Sequence, residues 1–289
     1  MKKKPESMSD IMRGKVSDYV LDRIDRLPFQ TSASEDHDEF GFSRDALKKI
    51  APAAYFLYEK WFRTEIFGIE NIPSEGPVLI IPNHSGQIPL DGLLIATGVL
   101  SEAEPPRLPR AMVERWFPTL PGLSIVFARS GQVVGVMRNA EKLLDQERIV
   151  LIFPEGIRGS GKLWQNRYQV QQFTLGFMEL AIKYKARIVP AAVIGGEEQA
   201  PAFYNIEWLA KKTGMPYFPL TPTFPWFGLL GLIPYPSKYR IYFGETMDFS
   251  EYENELNNPD KIRELADLVH DRVQEMVDEK KDDRPFPGL

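Results

Sequence analysis

The spacing of apolar residues changes near residue 68. From Arg44 to Phe67 they recur every three to four positions, at Leu47, Ile50, Ala54, Leu57, Trp61 and Ile66. That is the repeat of a helix with one apolar face. Tyr55, Phe56, Tyr58, Phe62 and Phe67 widen the face, which suits core packing or, alternatively, a membrane surface. Ahead of it, residues 1–43 are polar and mixed; they predict a short helix near Ile11–Arg26 and then a flexible link. Beyond residue 68, short apolar runs alternate with helical periods. Val78–Ile81, Arg110–Glu114, Ser124–Ala128, Ile149–Phe153, Ile188–Ile194 and Tyr239–Phe243 read as strands. The unbroken run Ile149–Phe153 has the character of a central parallel strand. Leu90–Leu100, Asn139–Gln146, Val170–Tyr184 and Pro259–Lys281 read as helices. The alternation predicts an α/β fold, a mostly parallel central sheet flanked by helices, with an N-terminal helical region. The expected division is a flexible or helical segment 1–43, an amphipathic aromatic helix 44–67, an α/β domain 68–249 and a closing acidic amphipathic helix 250–289.

One stretch breaks both periods. Residues 213–237 carry no charge, and Pro216, Pro219, Pro222, Pro225, Pro234 and Pro236 punctuate them. A helix does not run through that many prolines, so a loop is expected. Its Trp226, Phe227, Leu229, Leu230, Leu232 and Ile233 either pack or dip into a lipid interface, with Tyr235 and Tyr239 at the edge.

Composition narrows the chemistry. The 289 residues include no cysteine and three histidines. That excludes a disulfide framework, a thiol nucleophile and a thiolate zinc site, and no metal centre is expected. The net charge of −5 is uneven. From Glu245 to Leu289 there are 14 acidic and 6 basic residues, while the rest of the chain is mildly basic. No basic stripe interleaves with aromatics, so nucleic-acid binding is not expected. Lys2-Lys3-Lys4 leads into no apolar segment, and no run of roughly 18 uncharged apolar residues appears. The expected location is cytoplasmic, peripheral to a membrane.

Two blocks carry candidate chemistry. The first is Pro82-Asn83-His84-Ser85-Gly86-Gln87-Ile88-Pro89-Leu90-Asp91-Gly92, directly after a buried strand. An imidazole near a carboxylate is the minimal general-base pair, the carboxylate fixing the tautomer and stabilising the imidazolium. The same residues also suit a plainer role, Asp91 complementing a helix dipole and His84 capping a turn. Ser85 lacks the Gly-x-Ser-x-Gly elbow of a serine hydrolase.

The second block is Phe153-Pro154-Glu155-Gly156-Ile157-Arg158-Gly159-Ser160-Gly161-Lys162. Gly156 to Lys162 has the GxxxxGK form of a nucleotide phosphate loop, but Leu163 stands where a magnesium-binding Ser or Thr belongs. What survives is a glycine turn with Arg158 and Lys162 that is either an anion site or a solvated turn.

Together the blocks resemble the phospholipid/glycerol acyltransferase family, also called lysophosphatidate acyltransferase-like. The resemblance covers roughly residues 67–248, from Gly68-Ile69-Glu70-Asn71-Ile72-Pro73 through Asn83-His84, Asp91, Phe153-Pro154-Glu155-Gly156 and Arg158 to Ile188-Val189-Pro190-Ala191-Ala192-Val193. It is closest to a divergent branch that also has Gly-Gly-Glu-Glu, here Gly195 to Glu198, and a Pro-rich apolar loop. The resemblance implies a catalytic dyad of His84 and Asp91. It implies acceptor binding by Asn83, Glu155, Gly156 and Arg158, with Lys162 and an arginine of the family's middle block. Arg129 and Arg138 compete for that block, and Arg138 is preferred because a helix follows it. The family usually leaves four residues between the histidine and aspartate, and this chain leaves six. The implied reaction moves a fatty acyl group from acyl-CoA or acyl-ACP, as cosubstrate with no other cofactor, to a hydroxyl of a lysophospholipid or related glycerolipid. A non-catalytic lipid carrier or an acyl-thioester hydrolase is the alternative. The implied partners are the thioester donor, the lysolipid acceptor and a membrane surface met through Trp226, Phe227, Leu229 and Leu230.

Overall fold

The computed structural model describes residues 15–28, 37–88, 90–114, 123–214 and 217–282. Seven strands form the main sheet: β1 (Glu65–Phe67), β2 (Val78–Pro82), β3 (Arg110–Val113), β4 (Val133–Val134), β5 (Ile149–Leu151), β6 (Arg187–Ile194) and β9 (Arg240–Phe243). Their order is β1-β9-β6-β2-β5-β3-β4. Every pairing is parallel except β6 with β9. A separate small hairpin pairs β7 (Tyr204–Asn205) with β8 (Pro219–Leu220).

The sheet is a central layer because its strands are apolar on both faces. Successive side chains point opposite ways. Val78, Ile80, Ile149, Leu151, Val189 and Val193 enter one core with α1 (Lys15–Asp25), α2 (Arg44–Phe56) and α3 (Asp91–Glu102). Leu79, Ile81, Val150, Ile188, Ala192 and Ile194 enter the other. There they meet α5 (Met137–Asp145), α7 (Gly176–Lys183) and α9 (Pro259–Lys280). Each such large aliphatic side chain contributes about 1.5–3 kcal/mol on burial. Arg107 ties the strand-start edge together, donating to the carbonyls of Pro73, Gly76 and Glu147 at 2.7–2.8 Å.

The expected helix at 44–67 stops early. α2 starts at the Ser43 cap, whose Oγ accepts from the Ala46 amide, and continues through a π turn over Leu57–Trp61. Arg63 then takes φ +43°. Glu65–Phe67 pairs in parallel with Arg240–Tyr242 as an edge strand, a non-local partner that helical spacing does not reveal. Most of the wide aromatic face goes into the core: Tyr55, Tyr58 and Phe62 are fully buried, with Phe56 and Phe67 outside.

Three further expectations are corrected. Ser124–Ala128 is helical, within α4 (Leu123–Ser130), which packs on α2. A five-residue apolar run does not distinguish strand from helix, and the neighbouring strand is Val133–Val134 instead. The helix expected from Val170 begins at Gly176. Residues 170–174 form no regular element because their amides have other partners: Val170 donates to Gln274 Oε1, Gln171 to Glu155 Oε2 and Thr174 to the Pro154 carbonyl. Tyr239 does not edge a lipid interface; it is fully buried and meets Phe62 edge-on at 5.1 Å. The first predicted helix appears as α1, and residues 11–14 and 29–36 lie outside the described residues. The rest of the expected flexible link, at 37–43, is held in place, since Asp38 accepts from the Phe40 and Phe42 amides and pairs with Arg110, and Phe42 is buried.

Candidate active site

Both chemical blocks leave the sheet at the same end, His84 after β2 and Glu155 after β5. Asn83 is buried and fixes the exit. Its Nδ2 donates to the Val193 carbonyl at 3.0 Å, and its Oδ1 accepts from the Val193 amide at 2.7 Å. This two-way bond carries the sheet ladder one step past β2.

Asp91 opens α3 with its carboxylate fully buried. Oδ1 accepts from the Gly92 amide at 2.9 Å, and Oδ2 accepts from the Ser85 amide at 3.1 Å. Oδ2 also lies 2.6 Å from His84 Nδ1. A carboxylate so engaged accepts only, so Nδ1 carries the proton and Nε2 of the neutral imidazole keeps its lone pair. The six intervening residues therefore do bring Asp91 back to the ring. Phe153 lies against it with centroids 4.3 Å apart. Burial pulls the His84 pKa down, but Asp91, by charge and hydrogen bond, and Glu155 more than offset this; the net shift is upward.

The second block is spent inward. Glu155 Oε1 accepts the His84 amide at 2.6 Å. Its Oε2 accepts the Gln171 amide at 2.7 Å and lies 3.4 Å from Lys162 Nζ. Lys162 does not face solvent: it is buried between Glu155 and Glu197 and also donates to the Gln169 carbonyl. Burial pushes Glu197 up to about 7, despite Lys162. Gly156 adopts φ +57°, ψ −146°, a conformation that favours glycine. Arg158 is exposed and donates to the Gln172 carbonyl at 3.0 Å. Arg138, in the first turn of α5, is exposed, and Arg129 is half-buried at the end of α4. The structure thus gathers His84, Asp91, Asn83, Glu155, Gly156 and Lys162 at the strand ends and leaves Arg158 at the surface.

The dyad opens on a cavity of about 480 Å³, within the ordinary range for a ligand pocket. Ile50, Ala53 and Leu57 of α2, Met112 and Val113 of β3, and Phe127 of α4 line it with His84, Asp91, Phe153 and Gly156. At its polar rim stands Glu114, which follows β3 and which spacing alone did not single out. No described residue lining this cavity is a lysine or arginine.

The sequence model of the Acyltransferase family matches residues 63–194, the span that holds both blocks. An uncharacterised protein of Mycobacterium bovis is 37% identical over 83% of this chain and 68% of its own length. The chain belongs to the acyltransferase family. The chain is also 25% identical to a cattle (Bos taurus) protein named a DGAT1/2-independent enzyme synthesizing storage lipids, over 75% of this chain and 60% of that one. It thus spans about two thirds or less of these relatives. Its fold matches the crystal structure of PlsC, the 1-acyl-sn-glycerophosphate (LPA) acyltransferase of Thermotoga maritima. The TM-score is 0.53 at 19% identity, over 82% of this chain and 80% of that one. Among the described residues, no helix of the acyltransferase is long and apolar enough to cross a membrane.

Proposed function

We propose that this acyltransferase moves a fatty acyl group from an acyl thioester to a hydroxyl of a glycerolipid at a membrane surface, with His84 as general base. The observation that carries this reading is the 2.6 Å His84–Asp91 contact at the mouth of a cavity lined mainly by apolar side chains. His84 Nε2 takes the proton of the acceptor hydroxyl as its oxygen attacks the thioester carbonyl. Asp91 stabilises the imidazolium that forms. Collapse of the tetrahedral intermediate breaks the C–S bond, and the imidazolium returns its proton to the thiolate. Ester and free thiol leave, with His84 neutral again. The apolar cavity suits the acyl chain.

A neutral acceptor, such as a partly acylated glycerol, has a specific observation in its favour over a phosphorylated one. Lys162 is already neutralised by Glu155 and Glu197, and Glu114 places a carboxylate at the rim where a phosphate would be repelled. The name of the cattle relative, which concerns storage lipids, points the same way.

Purified protein given palmitoyl-CoA with equal amounts of lysophosphatidate, lysophosphatidylcholine and dioleoylglycerol tests the reading by mass spectrometry. The expected products are a new ester lipid and equimolar thiol, triacylglycerol dominating. Free palmitate instead would make the protein a hydrolase, lipid binding without thiol release would make it a carrier, and full transfer by His84→Ala would remove His84 as the base.

A further inference from the structure

β6 ends at Ile194, and the chain then turns back over the dyad loop through Gly195–Gln199. Backbone meets backbone there. Gly86 has φ +81°, and a Cβ on it would collide with the Gly196 carbonyl; a Cβ on Gly196 would collide with Ser85 Oγ. Gln199 Nε2 donates to the Ile88 carbonyl at 2.6 Å, and Gln87 Nε2 donates to the Lys162 carbonyl at 2.7 Å. Three consecutive residues between His84 and Asp91 are therefore held from outside the loop.

A file of buried charges runs beneath them. Glu197 Oε1 lies 3.8 Å from Lys162 Nζ, Lys162 Nζ lies 3.4 Å from Glu155 Oε2, and Glu155 Oε1 accepts the His84 amide at 2.6 Å. The three side chains are at most 5% exposed. An ammonium has three protons to place. Glu155 Oε2 and the Gln169 carbonyl accept two of these from Lys162, and Glu197 faces the ammonium as a counter-charge at 3.8 Å.

A loop of six residues has more backbone freedom to lose than one of four. Its register must be set by contacts outside itself. Resting on the reading of His84 as the base, we propose that Glu197 is a positioning residue: through Lys162 and Glu155 it holds the His84 backbone, and with Gly196 and Gln199 it sets the six-residue loop so that Asp91 meets Nδ1. Glu197 Oε1 also accepts the Tyr168 amide at 3.3 Å, and a glutamine oxygen in the same place keeps that bond and still turns its dipole toward Lys162.

Nitrogen-15 NMR of the full chain reads this directly, because only three histidines contribute imidazole signals. The proton held between His84 Nδ1 and Asp91 gives a far-downfield resonance. Glu197→Ala and Gln199→Ala are each expected to shift or broaden it away. Each is also expected to cut kcat by about tenfold or more, with palmitoyl-CoA as donor and dioleoylglycerol as acceptor, while the KM for palmitoyl-CoA stays within about twofold. Glu197→Gln is expected to restore both readings. A resonance unchanged in both alanine variants overturns the proposal, as does a Glu197→Gln protein as impaired as Glu197→Ala. Should Glu197→Ala fail to fold, Gln199→Ala decides alone, since it removes one hydrogen bond and strands no buried charge. Should the lipid pair support no turnover, the resonance decides. An active His84→Ala protein would overturn the base itself; an inactive one beside an undisturbed Glu197→Ala resonance would overturn only the positioning role.

Discussion

The loops after β2 and β5 leave neighbouring strands at the same end of the sheet. Each starts near a proline and runs into polar residues, Asn83-His84-Ser85 in one and Glu155-Gly156-Ile157-Arg158 in the other. Their polar groups have opposite uses. In the β2 loop one ring nitrogen is tied to Asp91, and the ring lines a cavity. In the β5 loop both Glu155 oxygens are consumed by protein donors, and Lys162 answers them from within. One loop opens a group onto the cavity, and the other holds that group in place. A charged motif at a strand end is therefore not a binding site until its partners have been counted.

The sharpest way to break this contrast is Asp91→Asn. If Asp91 orients a base, the amide leaves the fold intact and lowers kcat/KM by on the order of 10³–10⁴-fold, because the wrong tautomer is favoured. The pH profile gives a second reading. The net His84 shift is upward, chiefly through Asp91 acting against burial. In the wild type kcat/KM rises with pH as the imidazolium loses its proton, through a pKa above that of an ordinary imidazole. Removing the Asp91 charge lowers that pKa, so the acid limb of the variant moves to lower pH. A loss of less than about tenfold with an unmoved limb would return Asp91 to a helix-dipole role.

Lys162→Met tests the other loop. It strands Glu155 and Glu197 without their cation, and breaking a buried pair from one side costs about 3–5 kcal/mol. The measurement is urea unfolding, and the loss is expected to shrink toward acid pH as Glu197, already pushed up to about 7 by burial, takes up its proton. Arg158→Gln is the matched control: the side chain is exposed, with one carbonyl bond at 3.0 Å, so stability should change by less than about 0.5 kcal/mol. Equal losses from the two substitutions would erase the distinction between an inward cation and an outward one.

Sequence periodicity reached some of this and not the rest, for physical reasons. Val78–Ile81 and Ile188–Ile194 were legible because both faces of a central strand are buried, leaving unbroken apolar runs. β1, β4, β7 and β8 were not, since two or three residues hold no period and their pairing is non-local. His84 and Asp91 were legible as types at a spacing, but the six-residue gap did not tell whether they meet. That depends on Gly86, Ile88 and their partners more than a hundred residues away, at Gly196 and Gln199. Lys162 reads in sequence as part of an anion site or a solvated turn because its counter-ions, Glu155 and Glu197, come together only in the fold. Glu114 was invisible because an acid after a strand is ordinary until a cavity opens beside it.

Two aromatic-rich segments looked alike in sequence and ended on opposite sides of the surface. Tyr55, Tyr58 and Phe62 are fully buried, whereas Trp226, Phe227, Leu229 and Leu230 are 65–82% exposed. Leu232 tucks partly inward, and the turn Gly228–Leu232 is held through Thr223 Oγ1 and the Gly231 carbonyl at 3.0 Å. Phe203, Tyr204 and Trp208, also exposed, lie on the adjoining hairpin and α8 (Glu207–Thr213). Trp61 Nε1 donates to the Pro234 carbonyl, and Tyr217 OH donates to the Gln87 carbonyl, so this segment is fastened to the turn that continues α2 and to the loop between His84 and Asp91. That placement suits a protein whose acceptor comes from a bilayer. The double substitution Trp226→Ser, Leu229→Ser should leave stability within about 0.5 kcal/mol, since neither side chain packs in the core. Each buried apolar side chain contributes about 1.5–3 kcal/mol on leaving water. Partitioning onto phosphatidylcholine–phosphatidylglycerol liposomes should therefore weaken by about tenfold or more in a flotation assay. Equal flotation of variant and wild type, with unchanged melting, would mean that Trp226 and Leu229 do not meet the bilayer.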